Sequence, residues 1–328
     1  MTEQYLDGFG VTAISNPLSG KNKNNGCRLF LQMVKKFPQI QHLFASNLED
    51  ITRAIKACEL RQDKVIIING GDGTLQCILT LLKQKKYKHY QPELCLLGSG
   101  TTSMVYEDVG CKSKLENIFD SISAYSAGLR DDFKKTSREI LRVENMDTSE
   151  VHCGMFFGAG TIYDGILYCR KSIHSKGLRG ELGASLGLLR FLFDWLTVKC
   201  LTRSFSAKLS VDNTQIDKAE FSVIVATTLN RLLAGVYPFW STYSDHGQFV
   251  ITLIKHNPPR PIMNFYNILK GRAPKYTNNE NHYQSYAPYQ VKLYIEGGYT
   301  LDGELFGEQG KISQLSIDSA GTVTFLSL

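Results

Sequence analysis

The chain has 328 residues, 43% of them hydrophobic, and 37 Lys and Arg against 31 Asp and Glu give it a formal charge of +6. That length suits two domains better than one core. No run of about 18 uncharged apolar residues occurs, which excludes a membrane-spanning helix, and the modest positive balance fits an anionic ligand or surface as well as plain solubility.

Over the first 130 residues, apolar strand-like runs alternate with helical patterns. Strands are expected at 11–14, 40–44, 64–69 and 93–97, and helices at 24–37, 48–60, 74–85 and 102–109. Such alternation predicts an α/β, Rossmann-like domain: a parallel sheet with helices on both faces and its ligand at the carboxyl ends of the strands. From about residue 138 the pattern changes to short alternating segments, at 139–144, 151–157, 207–211, 220–227, 248–254, 290–295 and 322–326. These predict a mostly antiparallel, β-sandwich-like second domain. The expected boundaries are therefore 1–137 for a nucleotide-binding domain and 138–328 for a β-rich domain, with 273–289 as the longest polar loop.

Residues 181–201 interrupt the β pattern. Leu182, Leu186, Leu189, Phe193, Leu196 and Cys200 form one helical stripe and Leu188, Phe191, Leu192, Trp195 and Val198 a second beside it, after a basic loop at 170–179 that includes Lys171, Lys176 and Arg179. A helix apolar all round is either buried or positioned to cover an apolar pocket or meet a bilayer. The basic run Lys83–His89 lacks interleaved aromatics and reads as a solvated helix end, so no nucleic-acid partner is expected. The eight cysteines show no paired C-x-x-C spacing, which argues against zinc and structural disulfides. His152 beside Cys153 reads as packing rather than ligation.

The most informative segment is Gly70-Gly71-Asp72-Gly73-Thr74-Leu75, which follows the apolar run Val65–Ile68 and opens an amphipathic stretch. A buried strand delivering glycines to a helix N-terminus forms an anion site. Within such a cradle Asp72 would repel a phosphate, so it suggests a metal ligand or a general base, with a helix cap as the plain alternative. Three further segments share this chemistry. Asn16-Pro17-Leu18-Ser19-Gly20-Lys21 pairs a rigid turn with donors and a cation. Gly98-Ser99-Gly100-Thr101-Thr102-Ser103 is a second glycine and hydroxyl loop, and Leu301-Asp302-Gly303-Glu304 sets two carboxylates around a glycine.

In that order, the four segments resemble the diacylglycerol kinase catalytic-domain family, which includes soluble bacterial lipid kinases and sphingosine kinases. The resemblance extends across nearly the whole chain. It implies a two-domain build with the active site in the cleft, an ATP and Mg²⁺ requirement, and transfer of the γ-phosphate to the hydroxyl of a diacylglycerol- or sphingosine-like lipid at a membrane surface. Carried over residue by residue, it assigns Asn16, Ser19, Gly20, Lys21, Ser46, Gly70, Gly71, Asp72, Gly73, Thr74, Gln76, Gly100, Thr101 and Thr102 to the nucleotide. Asp302, Glu304 and Asp72 become the catalytic acids, with the choice of general base left open among them. Asp72, Glu304, Asp108 and Asp245 become candidates for Mg²⁺.

The chain also departs from the family pattern. Gln76-Cys77 stands where Asn-Glu is usual, Ser103-Met104 where Asn-Asp is usual, and Asp245-His246-Gly247 matches the structural-metal segment only loosely. Asp108, one helical turn beyond Met104, could return the acid missing at 104 or simply cap and solvate its helix. Two other readings stand beside the lipid kinase. An NAD kinase shares Gly-Gly-Asp-Gly-Thr, and Asn279-Glu280 could supply its downstream pair, but Asn16-Pro17-Leu18-Ser19-Gly20 argues against it. A non-catalytic nucleotide or lipid sensor would explain the lost carboxylates, but Asp72, Asp302 and Glu304 are all present. Residues 1–7 lack a basic region followed by an apolar one, so a cytoplasmic protein that visits the membrane transiently is expected. A homodimer is compatible with this size but nothing in the sequence demands one.

Overall fold

The computed structural model describes residues 10–24, 26–100, 104–176, 204–232, 235–242, 245–275, 281–308 and 310–328. Thr101, Thr102 and the expected helix 181–201 lie outside the described residues. Two compact units form, one from Met1–Arg138 with Thr322–Leu328 and the other from Glu139–Gly321.

The first unit is a parallel α/β layer. In chain order it contains β1 (Val11–Ser15), α1 (Gly26–Lys36), β2 (Gln41–Phe44), α2 (Leu48–Leu60), β3 (Val65–Gly70), α3 (Asp72–Leu82), β4 (Glu93–Gly98), α4 (Met104–Val109) and α5 (Leu115–Ser126). β1 lies between β2 and β3, and β3 pairs with β4, every ladder being parallel. β1 and β3 are buried along their whole length, polar Thr12, Ser15 and Asn69 included, as strands of a sheet covered on both faces are. Ala13, Ile67, Cys95, Phe30 and Phe119 share its core. α5 was not foreseen, although Ile118, Phe119 and Ile122 supply its buried stripe.

β5 (Lys134–Asn145) leads into the second unit, which continues with β6 (Glu150–Gly154), β7 (Phe156–Gly160), α6 (Thr161–Lys176), β8 (Phe205–Val211), β9 (Thr214–Thr227), β10 (Val250–Lys255), α7 (Pro261–Leu269), β11 (Tyr283–Tyr286), β12 (Gln290–Glu296), β13 (Tyr299–Leu301), β14 (Glu304–Phe306) and β15 (Ile312–Ser327). Its ladders are antiparallel, in the order β14-β13-β7-β9-β8-β12-β15 with β10 and β11 branching from β9. The mixed architecture, an α/β N-terminal part and a largely antiparallel C-terminal part, is the expected fold class. The end of β15 lies in the first unit, where Phe325 and Leu326 pair in parallel with Leu94 and Cys95 of β4.

α7 was likewise not foreseen, and three further segments differ from their sequence reading. The basic segment expected as a loop from 170 is helical through Lys176, continuing α6. The expected strand 151–157 breaks at Met155, whose N–H is drawn to the Asp302 carboxylate. Within the polar stretch 273–289, β11 forms because the edge of β10 offers it a ladder, Tyr286 facing Ile251. Among the described residues, no helix is long and apolar enough to cross a membrane.

Candidate active site

In the first unit, the segments that follow β1, β3 and β4 emerge at the carboxyl ends of adjacent strands and converge. The Lys21 N–H donates to Ser99 O at 3.0 Å, and the Gly71 N–H donates to Ser19 Oγ at 3.1 Å. A Cβ on Gly71 would stand 3.3 Å from Gly100 Cα, so glycine permits the closest approach of two of the segments. Asn16 fixes its own turn by accepting from Leu18 N at 2.9 Å, and its Nδ2 donates to Thr74 Oγ1 at 2.9 Å.

Beneath the glycines lies a polar layer that the motif reading missed. Asn69 is 2% exposed; its carbonyl accepts from Asn16 N at 3.0 Å and Asn22 Nδ2 at 3.1 Å, and its side chain takes the Ser99 hydroxyl on Oδ1 while Nδ2 donates to Ser15 Oγ at 3.3 Å. Ser15 Oγ in turn lies 3.0 Å from His42 Nε2, a half-buried ring whose loss of hydration lowers its pKa. Buried polar groups must be paired, and here the pairing ties the three segments to one another. An Asn closing an apolar strand directly before two glycines was the available signal. Asn22 looked like any loop asparagine.

Asp72 occupies the first turn of α3, with Gly71 as the cap residue. The helix therefore starts two residues earlier than expected and brings the carboxylate into its N-terminal turn. The Met104 N–H, at the start of α4, donates to Asp72 Oδ2 at 2.9 Å. Tyr106 holds α4 in place, its ring filling the space above Gly98 and Gly110, where an added Cβ would lie 2.7 and 2.0 Å from ring atoms. Although part of the residue reaches solvent, the Asp72 carboxyl is enclosed, and loss of hydration pushes it up to about 6 against the pull of the Met104 and Val105 amides. An enclosed acid raised in this way, beside a helix N-terminus, is one whose charged form a divalent cation would stabilise.

The other sequence-assigned acids have chain partners. Arg138 holds both oxygens of Asp108, Nε at 2.9 Å and Nη2 at 3.4 Å, in a pair exposed by only 15% and 6%. Asp245 accepts from Tyr289 OH at 3.1 Å. Among the described residues, no group of three or more His, Cys, Asp or Glu gathers to hold a metal. Ser46 lies just before α2, whose cap is Asn47, and its N–H donates to Asp50 Oδ2 at 3.1 Å. Gln76, on the buried side of α3, keeps Nε2 without a hydrogen-bond partner.

In the second unit, Asp302 and Glu304 lie on the β13–β14 hairpin. Asp302 is 5% exposed, and its carboxylate takes the N–H groups of Met155 (3.1 and 3.0 Å) and Phe156 (2.8 Å). Gly154 makes room for it, since a Cβ there would fall 2.5 Å from Asp302 Oδ2. Asp302 itself has φ +49°, a left-handed conformation that a tight turn requires and that Asp tolerates better than most residues. Glu304 faces solvent, its side chain 45% exposed and paired with Arg170 Nη2 at 2.9 Å, and the same nitrogen donates to Gly303 O at 2.9 Å. One acid of the pair builds the turn and the other is presented by it.

Residues 10–129 match the diacylglycerol kinase catalytic domain. The family read from the four sequence segments is thus recovered over the part of the chain that carries the three N-terminal ones. A diacylglycerol kinase from Bacillus anthracis str. Sterne is similar in fold over 97% of both chains, with a TM-score of 0.64 at 17% identity. Yeast NADH kinase, solved with NADH, is similar over 98% of this chain and 84% of its own, with a TM-score of 0.50 at 7% identity. At such identities the likeness is one of fold. No curated protein matches the chain by sequence.

Proposed function

We propose that the chain is an ATP-dependent lipid kinase, transferring the γ-phosphate to a hydroxyl of a diacylglycerol- or sphingoid-type lipid presented by a membrane. The observation that carries this reading is the convergence of three glycine-bearing segments around Asp72, whose carboxyl is pushed up to about 6 by burial. The residues present fit a nucleotide and a divalent cation. Gly71 and Gly100 leave no side chain where the segments meet, and Asp72 is an enclosed acid whose buried charge a cation would compensate. The sequence Asn16-Pro17-Leu18-Ser19-Gly20 and the late Asp302-Gly303-Glu304 favour a lipid over NAD as acceptor.

When bound, the nucleotide and its Mg²⁺ supply the transferable phosphoryl group and neutralise charge developing on it. The chain's own part is positioning and charge. Lys21 and the first N–H groups of α3, which have no carbonyl partner within the helix, offset phosphate charge. Asp72 holds the cation. Glu304, the acid left accessible on its hairpin, takes the proton of the attacking hydroxyl and returns it to solvent, while Asp302 serves as a positioning residue through Met155 and Phe156.

Incubation of the protein with radiolabelled ATP, Mg²⁺, a panel of vesicle-borne lipids and NAD tests the proposal. Label is expected on one lipid class. Label on NAD alone would transfer the reading to the nucleotide kinases, and absence of transfer to any acceptor, with ATP still bound, would leave a sensor.

A further inference from the structure

No Asp or Glu occurs between Asp245 and Glu280, while Lys255, Arg260, Lys270, Arg272 and Lys275 fall inside that interval. They contribute +5, against +6 for the whole chain. At the centre of this segment is α7. Its inner face is anchored by Asn264 and Ile268, 0% and 1% exposed, and Asn264 Nδ2 donates to Pro259 O at 3.1 Å. Its outer face presents Met263 and Tyr266, three residues apart and therefore neighbours, at 52% and 59% exposure.

The exposed aromatic is coupled to the charge. Lys270 Nζ donates to Tyr266 OH at 2.6 Å and lies 4.4 Å from the ring centroid. Immediately beyond, Arg272 and Lys275 are exposed, and Arg272 N closes the helix end on Asn267 O at 2.9 Å. An apolar thioether and an amphipathic ring, backed by cations at one end of a short helix, is the composition that settles at a bilayer boundary. The ring and methyl enter the acyl edge while the ammonium and guanidinium groups stay among head groups. Nucleic acid would use the same cations but gives no role to Met263, and Tyr266 is the single exposed ring available for stacking in α7 among its described side chains.

We infer that α7 and the basic segment after it form a docking face for an anionic phospholipid bilayer. The inference rests on the reading that the phosphate acceptor is membrane-borne, and it assigns the contact to a surface outside the phosphate-binding segments. At about fivefold in partitioning per basic residue near an anionic surface, Lys270, Arg272 and Lys275 together amount to on the order of a hundredfold.

The test is flotation of the whole protein with vesicles of equal parts phosphatidylglycerol and phosphatidylcholine, and with phosphatidylcholine alone. The parent should float with the anionic vesicles and be released by salt. The triple variant Lys270→Ala, Arg272→Ala, Lys275→Ala should lose about a hundredfold in binding, and Met263→Ser with Tyr266→Ser should bind more weakly while the remaining binding keeps its salt dependence. Both should keep the parent's thermal midpoint and its phosphorylation of a short-chain, soluble diacylglycerol. Unchanged flotation of both variants overturns the inference, as does equal binding to phosphatidylcholine alone. Displacement of the parent from vesicles by a single-stranded oligonucleotide to which the triple variant no longer binds would also overturn it, by assigning the face to nucleic acid. Failure of the parent to phosphorylate the soluble lipid, with flotation as expected, would instead count against the kinase reading and leave the docking face intact.

Discussion

Asp72 and Asp302 are both enclosed acids supported by backbone N–H groups, yet the fold treats them in opposite ways. Asp302 receives Met155 and Phe156 on both oxygens, inside a hairpin whose neighbour at 154 is glycine to admit it. Asp72 takes Met104 N on Oδ2 and sits where burial outweighs that support, so its carboxyl is pushed up to about 6. A carboxylate whose hydrogen bonds are completed by the chain is a structural element. One left short of compensation is held at a cost that an external cation or proton would relieve, and that supports the role proposed for Asp72.

The largest test of this contrast is on the hairpin. If Asp302 builds the turn so that Glu304 can act, Glu304→Gln should lower kcat by about 10² to 10⁴, the usual consequence of losing a general base. Nucleotide affinity should change little, and the thermal midpoint should stay put because the Glu304–Arg170 pair is exposed and such pairs contribute little. Steady-state kinetics on the labelled lipid decides it. Near-normal turnover in Glu304→Gln would return the base to Asp302 or Asp72.

A third acid sharpens the comparison. Asp108 has its counter-charge within the chain, so its removal should act on stability and leave metal use alone. Asp108→Ala strands the Arg138 guanidinium in a largely enclosed site and should cost about 3 kcal/mol, the lower end for breaking a buried pair. The Mg²⁺ concentration for half-maximal activity should match the parent's. A raised requirement in that titration would make Asp108 the substitute for the acid missing at Met104.

The same logic reverses sign at Asp72. Its folded-state pKa, about 6, lies above the ordinary 3.8, so between those values the folded chain binds more protons than the unfolded one. Stability therefore falls as pH rises through that window, and the charged form remains a burden above it. Asp72→Asn should stabilise the protein by about 1 to 3 kcal/mol at pH 8, allowing for the solvent that reaches the residue, with the gain vanishing towards pH 4. Activity should fall steeply in the same variant. Chemical denaturation at the two pH values tests the first half; an equal effect at both would show that charge is not the cause.

These acids differ in how readable they were. The place of Asp72, where a buried strand passes through glycine into a helix N-terminus, could be read from Val65–Ile68 and three glycines alone. The parallel order of the first unit was legible for the same reason, from continuous apolar runs spaced by helical patterns. Asp302 and Glu304 looked equivalent in sequence. What separates them is a long-range contact to Met155 and Phe156, about which a local pattern carries no information. Tertiary partners likewise decided β11, recruited by the edge of β10, and Asp108, whose partner Arg138 lies 30 residues away.

Asn69 tests whether the layer below the glycines matters as much as the glycines. Its carbonyl anchors the Asn16 segment, and its side chain joins Ser99 to Ser15, so the three converging segments share one buried residue. Asn69→Ala leaves the carbonyl in place and removes only the side-chain bridge. The orphaned Ser99 hydroxyl can rotate to another partner, so the stability cost should be modest, about 1 kcal/mol. The spacing of the segment at 98–100 from the Gly70–Gly73 turn, however, would no longer be set from below. Nucleotide binding should weaken by about tenfold, corresponding to 1.4 kcal/mol, while Ser99→Ala in the same background should add little, because both changes cut the same bridge. Isothermal titration with ATP and Mg²⁺ on the two single variants and the double variant measures this coupling. Additive losses would mean that Asn69 and Ser99 act separately, and the buried layer would then be packing rather than a gauge for the phosphate site.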